Sequence, residues 1–396
     1  METIKKNIFE LLIAAEFVVL ILLSFVFFNR VEGKASKAEN RYLASFPTLK
    51  NADGSLSETF TEDLASWFED NLGLRDAYLT ISGVINYNIL HRSRTARVET
   101  GEDGFLYLAD EGNLSLEASR TPEFAERMPE YAKKLKNVSD KLSERGIDYV
   151  FMAAPGKPSV YPEYIASSTH RVEDTLGDVF YGYMTEHSDI KVIWPKEKLI
   201  NAKTNKDGQN IFLRTDTHWT TYGRNIAYRD ITDRLNEWGY KDIRPADVRY
   251  YKPEDEFYGD LSEMMGPVKL SGERLAEHDY IEWEPVNQSA VEITSGEAYE
   301  EFHRLLTEKN IYNPELCNIY HNEKAPGLNV LIFGDSMIRV CMMPELAESF
   351  SDLTFVWSYV PDMDIIELIK PDLVISEYGE RELAIRLTDV DKGVTK

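Results

Sequence analysis

Apolar and polar positions change rhythm several times along the chain. Residues 11–28, LLIAAEFVVLILLSFVFF, form an apolar run broken only by Glu16 and preceded by Lys5 and Lys6. With Ile8 and Phe9 the run approaches the roughly 20 apolar residues that a bilayer-spanning helix needs. It predicts an uncleaved membrane anchor over residues 1–30, in preference to a cleaved signal peptide or a buried core helix. Arg30, Lys34 and Lys37 stand just beyond it and blunt the charge bias that would orient it. Residues 31–100 read as a polar stalk and a helical lead-in. Phe60, Leu64, Trp67, Phe68 and Leu72 recur at helical spacing there.

Residues 101–396 read as the main domain. A Gly-flanked turn leads into a short apolar strand in GEDGFLYL, 101–108, and a long amphipathic helix then runs to Gly146. IDYVFMAAP, DIKVIW and NIFL (210–213) are predicted strands, and the stretch after Thr220 a helix that stops before Gly239. Residues 240–325 lose this alternation and are expected as an acidic insertion of short strands or loops, functional or mobile by its length. The rhythm returns with LNVLIFGD, MPELAESF, LTFVW, MDIIELIK and PDLVISEYGERELAI. Continuous Val/Ile/Leu runs between helices predict an α/β domain with a mainly parallel sheet covered on both faces.

Charge narrows the possible partners. Lys+Arg 44 against Asp+Glu 68 leaves a net charge of −24, a field that repels phosphate backbones and makes nucleic acid an unlikely partner. Two cysteines, Cys317 and Cys341, make no disulfide framework; a pair in an oxidising compartment and two lone thiols both remain open. No histidine spacing suits a metal, and neither a metal nor a cofactor is expected.

Ligands of such sheets sit beyond the carboxyl ends of the strands, which singles out NVLIFGDSM. Ser336 falls on a strand-to-helix turn, with its hydroxyl accessible and its N–H near a helix N-terminus; the alternative is that it only caps that helix. A serine nucleophile needs a base, and the base a third group to orient it. RTDTHWTTYG, 214–223, supplies both types. Residues i and i+2 of an extended segment share a face, so the Asp216 carboxylate would hold His218 Nδ1–H and leave Nε2 toward a serine. A surface Asp-x-His is the alternative. Lys157 and Tyr161 follow the end of a strand and are candidates to line a glycan cleft, with simple packing the other reading of Tyr161. Arg339, a helical turn past Ser336, is a candidate for binding substrate or a solvated cation, and Trp219 a core residue or a sugar platform. Glu377, Tyr378 and Arg381 end the last strand, where they join the site or form an ion pair.

RTDTHWTTYG together with GDSM resembles the SGNH-hydrolase-like domain of alginate O-acetyltransferases (the AlgX/AlgJ type) and the related DHHW proteins. ENRYLASFP, FTEDLASWFEDNLGLRDAYL, GEDGFLYL, AAPGKPSVYPE, YGDLSEMMG and PDLVISEYGERELA are similar to family segments in the same order. The resemblance implies a three-layer αβα sandwich, with Ser336 as nucleophile, His218 as base and Asp216 as its orienting carboxylate. It implies a membrane-anchored, extracytoplasmic O-acetyltransferase that acts on a cell-surface or exported polysaccharide through an acetyl-serine. Its implied partners are the polysaccharide acceptor and a membrane-bound O-acyltransferase that supplies acetyl groups. Thr217 stands where the DHHW tetrad has its first histidine, as in the alginate enzymes, and the hydrolases' Gly and Asn oxyanion blocks cannot be placed. A polysaccharide acetyl esterase with the same triad, and a non-catalytic glycan-binding or assembly protein, remain as alternatives.

Overall fold

The computed structural model describes residues 2–28, 34–36, 41–51, 54–109, 113–166, 174–204, 208–240, 242–277, 280–311 and 313–395. Parts of the expected stalk, at 29–33, 37–40 and 52–53, lie outside these residues. The chain forms two compact units, Met1–Thr100 with Tyr258–Ala276, and Gly101–Phe257 with Glu277–Lys396.

The first unit is helical. One helix covers Glu2–Val26, and two shorter ones cover Phe60–Asp70 and Arg75–Asn88. Among the described residues, no helix is long and apolar enough to cross a membrane. The Gly73 N–H donates to the Ser24 carbonyl at 3.0 Å, and Phe28 packs edge-on to Trp67, so the end of the first helix docks on the lead-in helices.

The second unit is built on a seven-stranded sheet. Its strands are β1 (Asp148–Ala154), β2 (Lys191–Ile193), β3 (Val291–Glu292), β4 (Asn318–His321), β5 (Asn329–Gly334), β6 (Asp352–Trp357) and β7 (Leu373–Gly379). In space they run 2-1-7-5-6-4-3. The first five are parallel, and β4 pairs antiparallel with both β6 and β3. Alternate side chains explain the unbroken apolar runs. Val150, Met152, Val330 and Ile332 enter one buried cluster, while Phe151, Ala153, Leu331 and Phe333 enter another on the opposite face. Helices Thr221–Glu237 and Met343–Ser349 cover the first face, and Asn113–Ser143, Leu176–His187, Glu297–Glu308 and Met363–Ile369 the second. Three αβα layers result.

Two expectations differ from what is found. NIFL is not a strand of the sheet. Ile211 and Phe212 are buried, but the Ile211 N–H donates to the Tyr161 hydroxyl and its carbonyl accepts from Thr220. Burial gave the segment a strand's composition, while its hydrogen bonds are spent on its own loop. The stretch 240–325 also holds more regular structure than short strands and loops: antiparallel strands Val248–Tyr251 and Glu282–Pro285, and the amphipathic helix Glu297–Glu308.

Candidate active site

Strands β1, β5 and β7 end together, and the serine turn grows out of that edge. Gly334 closes β5, Asp335 follows, and a short helix covers Ser336–Arg339. Asp335, not Ser336, caps it: Oδ1 accepts the Met337 N–H at 2.8 Å. The serine is thereby relieved of the capping role and occupies the first helical position, half-buried. The other Asp335 oxygen accepts the Gly379 N–H at 3.0 Å and the Tyr359 hydroxyl at 3.1 Å. Glu377 lies beneath. It is wholly buried, and its Oε2 accepts the Asp335 N–H at 3.0 Å. Gly334 makes room for it, since a Cβ there would stand 2.7 Å from that oxygen. Burial, and then the Asp335 charge, push the Glu377 carboxyl well above its ordinary range.

The histidine comes from a buried arch, 211–220, closed by an antiparallel bridge between Phe212 and Trp219. Inside it, Asp216 Oδ1 lies 2.7 Å from His218 Nδ1 and 2.9 Å from the His218 backbone nitrogen. A carboxylate only accepts, so Nδ1 carries the proton and Nε2 is the basic nitrogen. The expected contact is present, but its cause is different. The segment is a run of bends, and the aspartate reaches its i+2 neighbour by folding back on the main chain, as Asp and Asn do in turns.

The rest of RTDTHWTTYG builds the arch. Thr215 donates from both its N–H and its hydroxyl to Glu277 Oε2, each at 2.9 Å. Trp219 is 2% exposed and packs against Phe212. Thr220 caps helix Thr221–Glu237 by accepting the Gly223 N–H, and the Thr221 hydroxyl donates to the Ile281 carbonyl. Gly223 lets the helix approach closely, because a Cβ there would lie 2.1 Å from the Ile211 carbonyl oxygen.

Arch and serine helix meet at Cys341. Its thiol faces the backbone N–H of Trp219; burial raises its pKa, and the Asp216 charge adds to the effect against Arg224. The helical turn runs on past Ser336, whose carbonyl accepts the Val340 N–H, so Cys341 is the next residue along. Met337, Ile338 and Cys341 share a buried cluster with Phe212 and Trp219. Cys317 and Cys341 are both buried free thiols, and the lone-thiol alternative is the one found.

Three of the candidate substrate residues, Lys157, Tyr161 and Trp219, are buried. Lys157 is buried, and its ammonium donates to the Leu106 carbonyl at 2.8 Å and the Arg214 carbonyl at 3.2 Å. It holds the arch in place and does not line a cleft. Tyr161 is also buried, with its hydroxyl on the Ile211 N–H and its carbonyl on the Tyr107 hydroxyl. Trp219 is core and no sugar platform. Arg339 is half-buried and donates from Nε to the Leu316 carbonyl at 2.7 Å. Glu277 and Asp335 were missed by sequence reasoning; the second stood in plain sight within GDS.

A family model described as the SGNH hydrolase-like domain of the acetyltransferase AlgX matches residues 98–312. The chain is 23% identical over 242 residues to a probable alginate O-acetylase AlgJ of Pseudomonas fluorescens, covering 57% of this chain and 59% of that one. It is 21% identical over 244 residues to a probable alginate O-acetylase AlgJ of Pseudomonas syringae pv. tomato, with 61% and 60% covered. The chain thus spans about three-fifths of the length of these curated relatives. Bacillus cereus PatB1 with a sulfonyl adduct superposes with a TM-score of 0.52 at 16% identity, covering 74% of this chain and 99% of that one. This likeness is one of fold.

Proposed function

The chain belongs to the SGNH hydrolase-like family of the acetyltransferase AlgX, and from that membership we propose that it is an O-acetyltransferase acting on a cell-surface or exported polysaccharide. One observation carries the reading. An oriented Asp216–His218 pair sits on an arch that packs, through Trp219 and Cys341, on the helix that begins with Ser336.

The reaction is a double displacement. Ser336 Oγ forms a bond to the acetyl carbonyl carbon and gives its proton to His218 Nε2. The carbon–oxygen bond to the donor breaks, and the departing oxygen takes the proton. A sugar hydroxyl then gives its proton to His218 and attacks the acetyl-serine, restoring Ser336 and leaving the sugar ester. Asp216 keeps the imidazole in the required tautomer and stabilises the imidazolium. Anchoring by the apolar run 11–28, with the second unit outside the cytoplasm, would place the enzyme beside a membrane-bound O-acyltransferase that supplies acetyl groups. The names of the relatives support alginate-like acceptors as the first to try.

The test offers the full-length protein a chromogenic acetyl ester, with and without an oligosaccharide acceptor. The reading requires ester cleavage that Ser336→Ala abolishes and acetyl groups that appear on the sugar. Cleavage that proceeds only to acetate, whatever the acceptor, supports an acetyl esterase with the same triad. Cleavage that survives Ser336→Ala removes the mechanism.

A further inference from the structure

Below the serine turn are two carboxyl groups that the reaction does not consume. Asp335 Oδ1 takes the Met337 N–H, and Oδ2 takes the Gly379 N–H and the Tyr359 hydroxyl. This one side chain therefore ties the start of the serine helix to the end of β7 and to the loop after β6. Glu377 on β7 grips Asp335 from below: its Oε2 accepts the Asp335 N–H, and its Oε1 is buried without a hydrogen-bond partner. Burial, and the Asp335 charge beside it, favour the neutral form of this acid.

Resting on the reading of Ser336 as nucleophile, we propose that Glu377 is a positioning residue: it holds the Asp335 N–H, and thereby fixes the turn that presents the serine hydroxyl. Glu377 touches no substrate. Its whole effect passes through Asp335, the residue immediately before the nucleophile. Few charges oppose this arrangement. The titratable groups facing Glu377 are Asp335 beside it, Arg381 beyond the end of its own strand, Tyr359 on the loop after β6, and Cys341 after the serine helix. Of these only Arg381 favours the ionised acid, and it is engaged with Glu382 at 3.5 Å. On the β1 side Glu377 pairs with Met152, which carries no charge. Ionisation of Glu377 would set two buried negative charges against each other directly under Ser336.

The sign of the linkage is fixed. A carboxyl whose folded-state pKa lies above its ordinary value of about 4.5 takes up a proton on folding. Its contribution to stability is complete below that value and is lost progressively as pH rises toward the folded-state pKa. Glu377→Gln keeps an acceptor for the Asp335 N–H and does not titrate. Glu377→Ala keeps no acceptor.

The experiment compares wild type, Glu377→Gln and Glu377→Ala in the full chain, by ester cleavage and by thermal midpoint from pH 5 to 9, and repeats the midpoints in a Ser336→Ala background. We expect Glu377→Gln to keep most of the wild-type kcat and to gain in midpoint over wild type as pH rises from 5. Glu377→Ala should lose on the order of 10²-fold in kcat with KM nearly unchanged, as a misplaced nucleophile does. A midpoint difference that is flat with pH, or a Gln variant as impaired as the Ala variant, overturns the proposal. Should Glu377→Gln fail to fold, the infrared carbonyl band of a protonated carboxyl at a pH just above the ordinary carboxylate range decides, measured in Glu345→Gln protein to remove the other carboxyl that burial raises. Its presence supports the neutral acid and its absence overturns it. Midpoints in the Ser336→Ala background do not depend on catalysis, so failure of the serine mechanism is distinguishable from failure of the carboxyl pair.

Discussion

A single oxygen of Asp216 holds His218 at two points, 2.7 Å from Nδ1 and 2.9 Å from the backbone nitrogen. The first contact fixes the tautomer. The second makes the imidazole's position a property of the backbone turn, so the pair stays aligned however the substrate approaches. Asp216→Asn, which presents the wrong group to Nδ1, should reduce kcat by roughly 10⁴-fold while leaving the fold intact. Steady-state kinetics beside a melting curve check this. A variant within a factor of ten of wild type would remove Asp216 from the chemistry.

Lys157 serves the same arch from behind. Its ammonium satisfies two carbonyls, and one of these belongs to Arg214 at the foot of the arch. Hydrogen bonds from a buried charge are each worth about 1.5–3 kcal/mol, so Lys157→Ala should lower the thermal midpoint clearly and reduce ester cleavage with it. Binding of an oligosaccharide acceptor should follow the folded fraction. A variant of unchanged midpoint that no longer binds acceptor would restore Lys157 to a cleft.

Much of this arrangement is legible in the sequence, for reasons that also mark its limits. Buried parallel strands read as apolar runs, which is why β1, β5, β6 and β7 and the helices between them stand out. Ser336 follows from its place at the end of one such run, and the Asp216–His218 contact from a spacing of two. The same cue misleads at NIFL, where burial without sheet pairing carries the same composition. Position after a strand says nothing of which way a side chain turns, and Lys157 and Tyr161 both turn inward, Tyr161 by the packing that was its other reading. Glu277 was invisible because its bonds to Thr215 cross 62 residues of sequence out of a stretch without rhythm. Glu377 was noticed, but its partner was not, since register alone brings the end of β7 beside the end of β5.

Gly223 gives a steric test of the arch. A Cβ would enter to 2.1 Å of the Ile211 carbonyl oxygen, which is backbone and has little freedom to retreat. Gly223→Ala should cost about 1–3 kcal/mol by overpacking, and the displacement should reach His218 as a fall in kcat. Unchanged stability and rate would show that the helix and the arch are not rigidly joined.

Glu345, on the helix Met343–Ser349, offers a separate pH signature. Burial is the main cause that pushes its carboxyl up to about 7, with Arg224 opposing and Glu282 assisting. The folded value lies above the ordinary one, so its contribution is complete below about pH 4.5, is lost between there and about pH 7, and is level beyond. Glu345→Gln should therefore gain in thermal midpoint relative to wild type across that window only, by an amount corresponding to at most roughly 3 kcal/mol. A difference that does not vary with pH would contradict this.

The central claim is that Ser336 is a nucleophile activated by His218, and covalent capture tests it most directly. The full-length protein is treated with a serine-directed sulfonyl fluoride and digested, and the modified peptide is identified by mass spectrometry. The account predicts a single sulfonyl group on Ser336, formed in wild type and nearly abolished in His218→Ala. A label on another residue, or one that forms on Ser336 at the same rate without His218, would contradict it.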